Sequence, residues 1–487
     1  MTSGSLRHVA ALSVFCLALP AAARAADWPM WAGSPQRNMV NLREKQIPDS
    51  WDVKTGKNVK WVAQLGSQSY GCPTVADGKV FVGTNNSAER QPKAKGDKGV
   101  ELCFRESDGK FLWQMTHDKL AAGRVNDWPR QGICSSACVE GKRVYYVSNR
   151  CELVCADTEG FHDGKNDGPY TAETYTGPND GDVIWKLDMI RELGVHPHNM
   201  SASSPVIWGD LVFVITGNGV DESHIVIPAP EAPDFVAVNK HTGEVVWDRN
   251  NPGEHIMHGQ WSSPAVGLVA GQEQAIFAGG DGRLYAFTPK TGQLLWSFQG
   301  NPDGSVYKLG GLGTRNEIIA TPVIWYDKVY FSMGQDPEHG EGPGHLYAID
   351  ATQRGDITRS GALWHNTEVN RSLSTVAIHD GILYHCDLSG IFRAIDADTG
   401  KVLWLHDLGS AVWSSPSLID GKVYQGDEDG NVTIFKAGRK KVVVNKVNLG
   451  SAVYTTPIAA NGVLFIANKE RLYAIQEGAA CDPTKAN

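Results

Sequence analysis

Histidines crowd into a few Gly- and Pro-bearing stretches of this chain. "GVHPHNMS" holds His196 and His198, "GEHIMHGQW" holds His255 and His258, and "DESH" ends in His224. "GQDPEHGEGPGH" adds His339 and His345, while "GLGTRNEIIATP" offers Arg315, Asn316 and Glu317. Imidazole beside carboxylate is the vocabulary of metal ligation and of proton transfer near neutral pH. Such side chains also tie irregular loops together, so spacing leaves three readings open: loop packing, ligand contact and metal binding. A second set is aromatic. Tyr70, Trp261, Trp413 and Tyr454 each stand three residues ahead of a recurring Pro slot, where they could line a cavity for a flat ligand or pack between neighbouring units. Arg371, near the start of a later unit, could meet an anionic group or point into solvent.

What must position these residues is a repeat. One phrase recurs: two small residues and Pro, an apolar stretch, a polar turn, an alternating strand, a Gly-rich turn, "LYA" or similar, a Thr-Gly turn, and a strand ending in Trp. "SSPAVGLVAGQEQAIFAGGDGRLYAFTPKTGQLLW", Ser262 to Trp296, is the clearest copy. Others begin at Pro73, Ala137, Pro205, Pro322, Val376, Pro416 and Pro457, which makes eight units. Their last strands carry Trp113, Trp185, Trp247, Trp296, Trp364 and Trp404, with Asn445 in the seventh. Period-two alternation between tight turns predicts four short strands, A to D, per unit. Such a sheet cannot bury both faces alone, and stacking around an axis solves that problem.

The eighth unit stops without a D strand, and "NVKW", Asn58 to Trp61, supplies one at the front of the chain. Trp61 precedes Pro73 by the same twelve residues that separate Trp404 from Pro416. The expected fold is all-β: an eight-bladed β-propeller of four-stranded antiparallel blades, closed by an N-terminal strand in the last blade. Each Trp should wedge between blades with its NH on a backbone acceptor, burying about 200 Å², roughly 5 kcal/mol before entropy.

Loop lengths then select a face. The joins from D to the next A hold 12 residues into units 1, 6, 7 and 8, but 24, 20, 17 and 26 into units 2 to 5. B–C insertions enlarge unit 1 (84–99), unit 3 (217–233) and unit 5 (334–344). D–A and B–C connections emerge on one rim, so the extra length predicts a pocket at the propeller mouth. The candidate funnel residues are Tyr70, His196, His198, His255, His258, Trp261, Arg315, Glu317, Arg371 and Trp413.

Two other motifs carry less. "FHDGKNDGPY" has Asp163, Asp167 and Gly168 where a calcium loop would, but Lys165 fills a ligand slot and no distal Glu follows, which favours a polar turn. Eight cysteines follow the leader: Cys72, Cys103, Cys134, Cys138, Cys151, Cys155, Cys386 and Cys481. Cys103 and Cys155 occupy a small core slot. Four residues along a strand span roughly 13 Å, too far for a bond within Cys134–Cys138 or Cys151–Cys155. Cys134 and Cys151, near the mouth-side ends of their strands, form the candidate disulfide.

Arg7, an apolar stretch from Val9 to Pro20 and Ala23-Arg24-Ala25 read as a secretory signal, predicting a periplasmic or secreted protein. Bulky Phe15 ahead of Cys16 disfavours a lipid-attachment site. The apolar stretch is too short to span a bilayer, and no later one approaches that length. The formal charge of −9 becomes −11 without Arg7 and Arg24, with no basic block, which disfavours nucleic acid. The expected division is signal peptide 1–25, lead-in 26–57, propeller 58–476 and tail 477–487.

"LYAFTPKTGQLLW" and "RAIDADTGKVLW" resemble the tryptophan-docking repeats of the PQQ-like, quinoprotein-type propeller family, over nearly the whole mature chain. The resemblance implies the fold firmly and the activity weakly, because the family spans PQQ- and calcium-dependent dehydrogenases, an outer-membrane assembly lipoprotein and further secreted proteins. The adjacent cysteine pair on which PQQ usually stacks in the dehydrogenases is absent, as is C-x-x-C-H. Their calcium set of Glu, Asn and Asp finds no match residue by residue. The expectation is a binding or interaction scaffold with a protein partner or small ligand at the mouth and no firmly assigned cofactor. The alternative is a PQQ- and calcium-dependent dehydrogenase of alcohols or sugars; a role in outer-membrane protein assembly rests on fold analogy.

Overall fold

The computed structural model describes Met1 and residues 26–482; residues 2–25, which carry most of the expected signal peptide, and 483–487 lie outside the described residues. Eight sheets follow one another, each built on four antiparallel strands, and two of them gain a short parallel fifth strand, Val40–Asn41 or Gly355–Asp356. The four antiparallel strands of blade 4 are Ala265–Val269, Gln272–Ala278, Arg283–Phe287 and Leu294–Gln299. Alternation gives every sheet two apolar faces, and each is buried by the neighbouring blade. Between blades 1 and 2, for example, Phe81, Cys103 and Trp113 pack against Val139, Val144 and Tyr146.

The ring closes as the sequence predicts. Lys57–Gln64 lies antiparallel to Arg471–Ala480 as the outermost strand of blade 8, with Trp61 opposite Ala474 and Val62 opposite Tyr473.

The outer-strand tryptophans bridge neighbouring blades. Trp61, Trp113, Trp185, Trp247, Trp364 and Trp404 donate from Nε1 to carbonyls in the C–D turn of the next blade, Glu106, Thr158, Lys240, Pro289, Ala397 and Gly438, at 2.7–3.1 Å. Trp296 reaches blade 5 by relay: it donates to Gln274 Oε1 (2.8 Å), and Gln274 Nε2 donates to Ala351 O (3.1 Å). At the seventh position Asn445 instead donates to Asp49 O at 2.8 Å, and Ile47 and Trp51 fill the apolar seam between blades 7 and 8.

The Thr-Gly turn has a steric reason. Gly292 and Gly400 adopt φ of 63° and 70°, and a Cβ there would fall 2.6 and 2.7 Å from the indoles of Trp247 and Trp364. Gly400→Ala should therefore destabilise the fold by about 1–3 kcal/mol, combining overpacking with left-handed backbone strain. The measurement is the urea midpoint against wild type.

Residues 28–44 form a thread across the ring that composition did not reveal. Trp28 pairs with Val75 in blade 1, and Pro29, Pro35, Gln36 and Met39 accept from Val139, Val266, Ile324 and Leu418 in blades 2, 4, 5 and 7. Asn38 bonds both backbone groups of Ile378 in blade 6, and Asn41 donates to Ala459 in blade 8. Arg37 reaches blade 3, donating to Ser204 O and Pro205 O as well as to Pro264 O and Trp31 O. One short segment thus ties all eight blades together. It sits across their innermost strands, on the side of the turns that follow strand A.

Candidate functional site

Above this thread lies a cavity of about 270 Å³ at the mouth. Its lower wall is built from the residue immediately before each Pro slot: Cys72, Ser136, Ser204 and Ser263 on blades 1 to 4, then Thr321, Thr375, Ser415 and Thr456. Small polar residues suit this place because their side chains satisfy strand-start N–H groups that have no ladder partner. Seven of these eight backbone N–H groups donate to the next blade's side chain, all but that of Ser263: Cys72 to Ser136 (2.9 Å), Ser136 to Ser204 (3.0 Å) and Ser204 to Ser263 (2.8 Å). The series resumes from Thr321 to Thr375 (3.1 Å), Thr375 to Ser415 (2.9 Å) and Ser415 to Thr456 (2.9 Å), and Thr456 returns it to Cys72 Sγ (3.0 Å). Thr321 Oγ1 accepts from the Trp31 indole at 3.2 Å, so the N-terminal thread supplies the cavity floor.

The next tier comes from the residue three before each Pro slot. Tyr70 and Tyr454 stack with centroids 5.0 Å apart and planes 11° apart, and Trp413 lies 5.8 and 4.9 Å from them. These three half-buried rings form an aromatic wall across blades 7, 8 and 1, and Trp261 faces the cavity from blade 4. Tyr70, Trp261 and Trp413 therefore share one cavity.

The histidines divide. His198, His224 and His258 come from the join into blade 3, the B–C insertion of blade 3 and the join into blade 4. Their ligand atoms all lie within 4.8 Å of one another. His224 Nδ1 and His258 Nε2 are 2.8 Å apart, and the His339 ring lies 4.9 Å from that of His258. The loops meet this closely because Gly219 lacks a side chain: a Cβ there would stand 2.6 Å from His258 O and 2.7 Å from His198 Cβ. Burial pushes His198 down to about 4; His258, buried beside His198, His339 and His224, falls to about 2. Both rings are neutral at pH 7. The cluster abuts the cavity, with Trp261 Nε1 donating to His198 O at 3.1 Å.

The other candidates lie elsewhere. His196 is half-buried, 3.2 Å from Asn126 Nδ2, and His255 is exposed on a short 3₁₀ turn. His345 sits in a strand against His365. Arg315 and Glu317 are not cavity-lining; Glu317 is buried, and desolvation holds its carboxyl well above the usual range. Arg371 does not point into solvent. It is fully buried and donates to Gly313 O, His339 O and Gly340 O, clamping the join into blade 5 to that blade's B–C insertion. Cys134 and Cys151 are both free thiols: Cys134 faces the cavity, whereas Cys151 donates to Thr216 O at 3.1 Å. Asp163 is exposed in a surface turn and paired with Lys165 at 3.2 Å.

Trp31, Trp128 and Asp336 also line the cavity. None has a place in the repeat register, and only the large-residue pair in "WPMW" hinted that the lead-in was more than a linker.

Fold and cavity together define an eight-bladed propeller with an aromatic-walled mouth. A family model described as outer membrane protein assembly factor BamB matches residues 176–405 and 388–479, and the chain belongs to that family of PQQ-like repeat propellers. The BamB of Yersinia pestis is 25% identical over 297 residues, covering 61% of this chain and 64% of the relative, so the chain spans under two thirds of that protein. The solved structure of BamB from Moraxella catarrhalis superposes with a TM-score of 0.57 at 17% identity, over 86% of this chain and 99% of that one. A europium-containing methanol dehydrogenase superposes with a TM-score of 0.59 at 12% identity, over 93% of this chain and 90% of that one. At these identities the two structures bear on fold alone. Among the described residues no helix is long and apolar enough to cross a membrane.

Proposed function

We propose that this chain is an exported binding scaffold, periplasmic or secreted, whose mouth cavity receives apolar or aromatic side chains of a protein partner. The observation that carries this reading is the wall of Tyr70, Trp413 and Tyr454 over a floored cavity of about 270 Å³. That volume lies just below the range of about 300–1,000 Å³ usual for small-molecule sites. It suits one or two inserted side chains, with aromatic anchors acting as binding hot spots. Relatives named for outer-membrane protein assembly support a partner in the cell envelope.

The dehydrogenase alternative would place PQQ and calcium at this mouth. PQQ is a tricarboxylate, and among the described residues the cavity lining contains no Lys or Arg; its charged side chain is the carboxylate of Asp336. The residues present do not fit the pair: no basic side chain of that lining meets the PQQ carboxylates, and a single carboxylate is a sparse oxygen set for calcium. Dye reduction with alcohols or sugars after adding PQQ and calcium should accordingly stay at background.

A photo-crosslinking residue at position 454, in chain expressed in its native envelope, tests the scaffold. The expected result is one discrete adduct that Tyr70→Ala with Trp413→Ala reduces at least about tenfold, the equivalent of about 1.4 kcal/mol. An adduct of undiminished yield in the double variant would remove the mouth as the site.

A further inference from the structure

We propose that His198, His224 and His258 bind a first-row divalent transition metal, Zn²⁺ being the best match, beside the mouth cavity. Three independent loops deliver these rings to one point, with ligand atoms no more than 4.8 Å apart. His198 and His258 are 0% and 1% exposed. His198 Nδ1 lies 2.7 Å from Val220 O. A carbonyl only accepts, so Nδ1 carries the proton and Nε2 presents its lone pair. That Nε2 has no hydrogen-bond partner among the described residues, an arrangement that otherwise leaves a buried polar atom unsatisfied.

The surroundings complete the logic of such a centre. A ligating imidazole characteristically donates its other N–H to a carbonyl or carboxylate, which fixes the tautomer. Val220 O does this for His198, and Asp336 Oδ2, 4.0 Å from His258 Nδ1, is placed to do it for His258. His224 Nδ1 and His258 Nε2 now share one hydrogen bond at 2.8 Å. A bound ion takes the place of that shared proton, and the second tautomer of His258 turns its N–H toward Asp336.

Metal–nitrogen bonds of about 2.0–2.1 Å in a tetrahedron put ligand nitrogens about 3.3 Å apart, so the widest pair closes by at most about 1.5 Å while the His224–His258 pair opens by about 0.5 Å. An all-imidazole set selects Zn²⁺, Cu²⁺, Ni²⁺ or Co²⁺ over Ca²⁺ and Mg²⁺, which require oxygen ligands. Three protein ligands leave a tetrahedral ion one open position. The site would pin the B–C insertion of blade 3 to the joins on either side of that blade, independently of whether the aromatic wall binds a partner.

The test uses untagged mature chain stripped with chelator, titrated with Zn²⁺ by calorimetry and with Co²⁺ by visible absorption. The expected result is one equivalent of either ion, with Co²⁺ developing the intense d–d bands of a tetrahedral nitrogen site. His224→Ala decides the matter, because its ring is only half-buried and its loss leaves the fold intact, as circular dichroism in chelator should verify. It should weaken affinity at least about a hundredfold, as should His198→Ala. His241→Ala, an exposed ring on a C–D turn, should change nothing. Absence of stoichiometric binding to wild type, or wild-type affinity in His224→Ala, overturns the proposal.

Discussion

Arg37→Met lowers the stability of the folded ring by about 3–5 kcal/mol, read as a fall in the urea midpoint. Arg37 is 0% exposed, and its guanidinium donates to the carbonyls of Trp31, Ser204, Pro205 and Pro264 at 2.8–3.0 Å. Burial lowers its pKa to about 10, which leaves it charged at pH 7. Methionine fills comparable space but strands four acceptors, and an orphaned buried acceptor costs about 1–3 kcal/mol before relaxation or water entry. Arg37→Lys should lose less, because the ammonium keeps the charge and up to three donors while forfeiting the planar fork. A loss below about 1 kcal/mol in the methionine variant would show that the thread contributes little to holding blades 3 and 4.

Trp61→Ala should cost a similar amount, about 3–5 kcal/mol, with a distinctive location. Trp61 is buried, donates to Glu106 O at 2.9 Å, packs 5.8 Å from Phe465 and lies against Gly109. Its removal loosens the seam between blades 8 and 1. Hydrogen exchange should therefore accelerate in Arg471–Ala480 and in the C–D turn of blade 1, before it does in blades 3 to 5. Uniform acceleration around the ring would contradict the idea of a local clasp.

Closure was legible because the propeller writes the same spacing at both ends: Trp61 to Pro73 repeats Trp404 to Pro416, and strand register follows from that. The aromatic tier was legible for the same reason, since the position three before each Pro slot always points to the axis. Histidines in long joins follow no such period. His196 and His198 are two residues apart, yet only His198 enters the cluster, and His224 joins it from another loop. Arg371 looked like a rim cation because its backbone carbonyl partners lie in two loops that no pattern brings together. The thread at 28–44 was invisible since its contacts use single backbone groups, two asparagines, Arg37 and scattered large side chains, which leave no apolar periodicity.

That thread also sets an order of assembly. Residues 28–41 need the inner strands of all eight blades, and Lys57–Gln64 needs Arg471–Ala480, more than four hundred positions downstream. Contacts of such separation form slowly, because loop closure must precede any gain from them. The segments at 28–41 and 57–64 thus settle only once the strands they pair with are in place, and the ring cannot close before residues 471–480 are available to it.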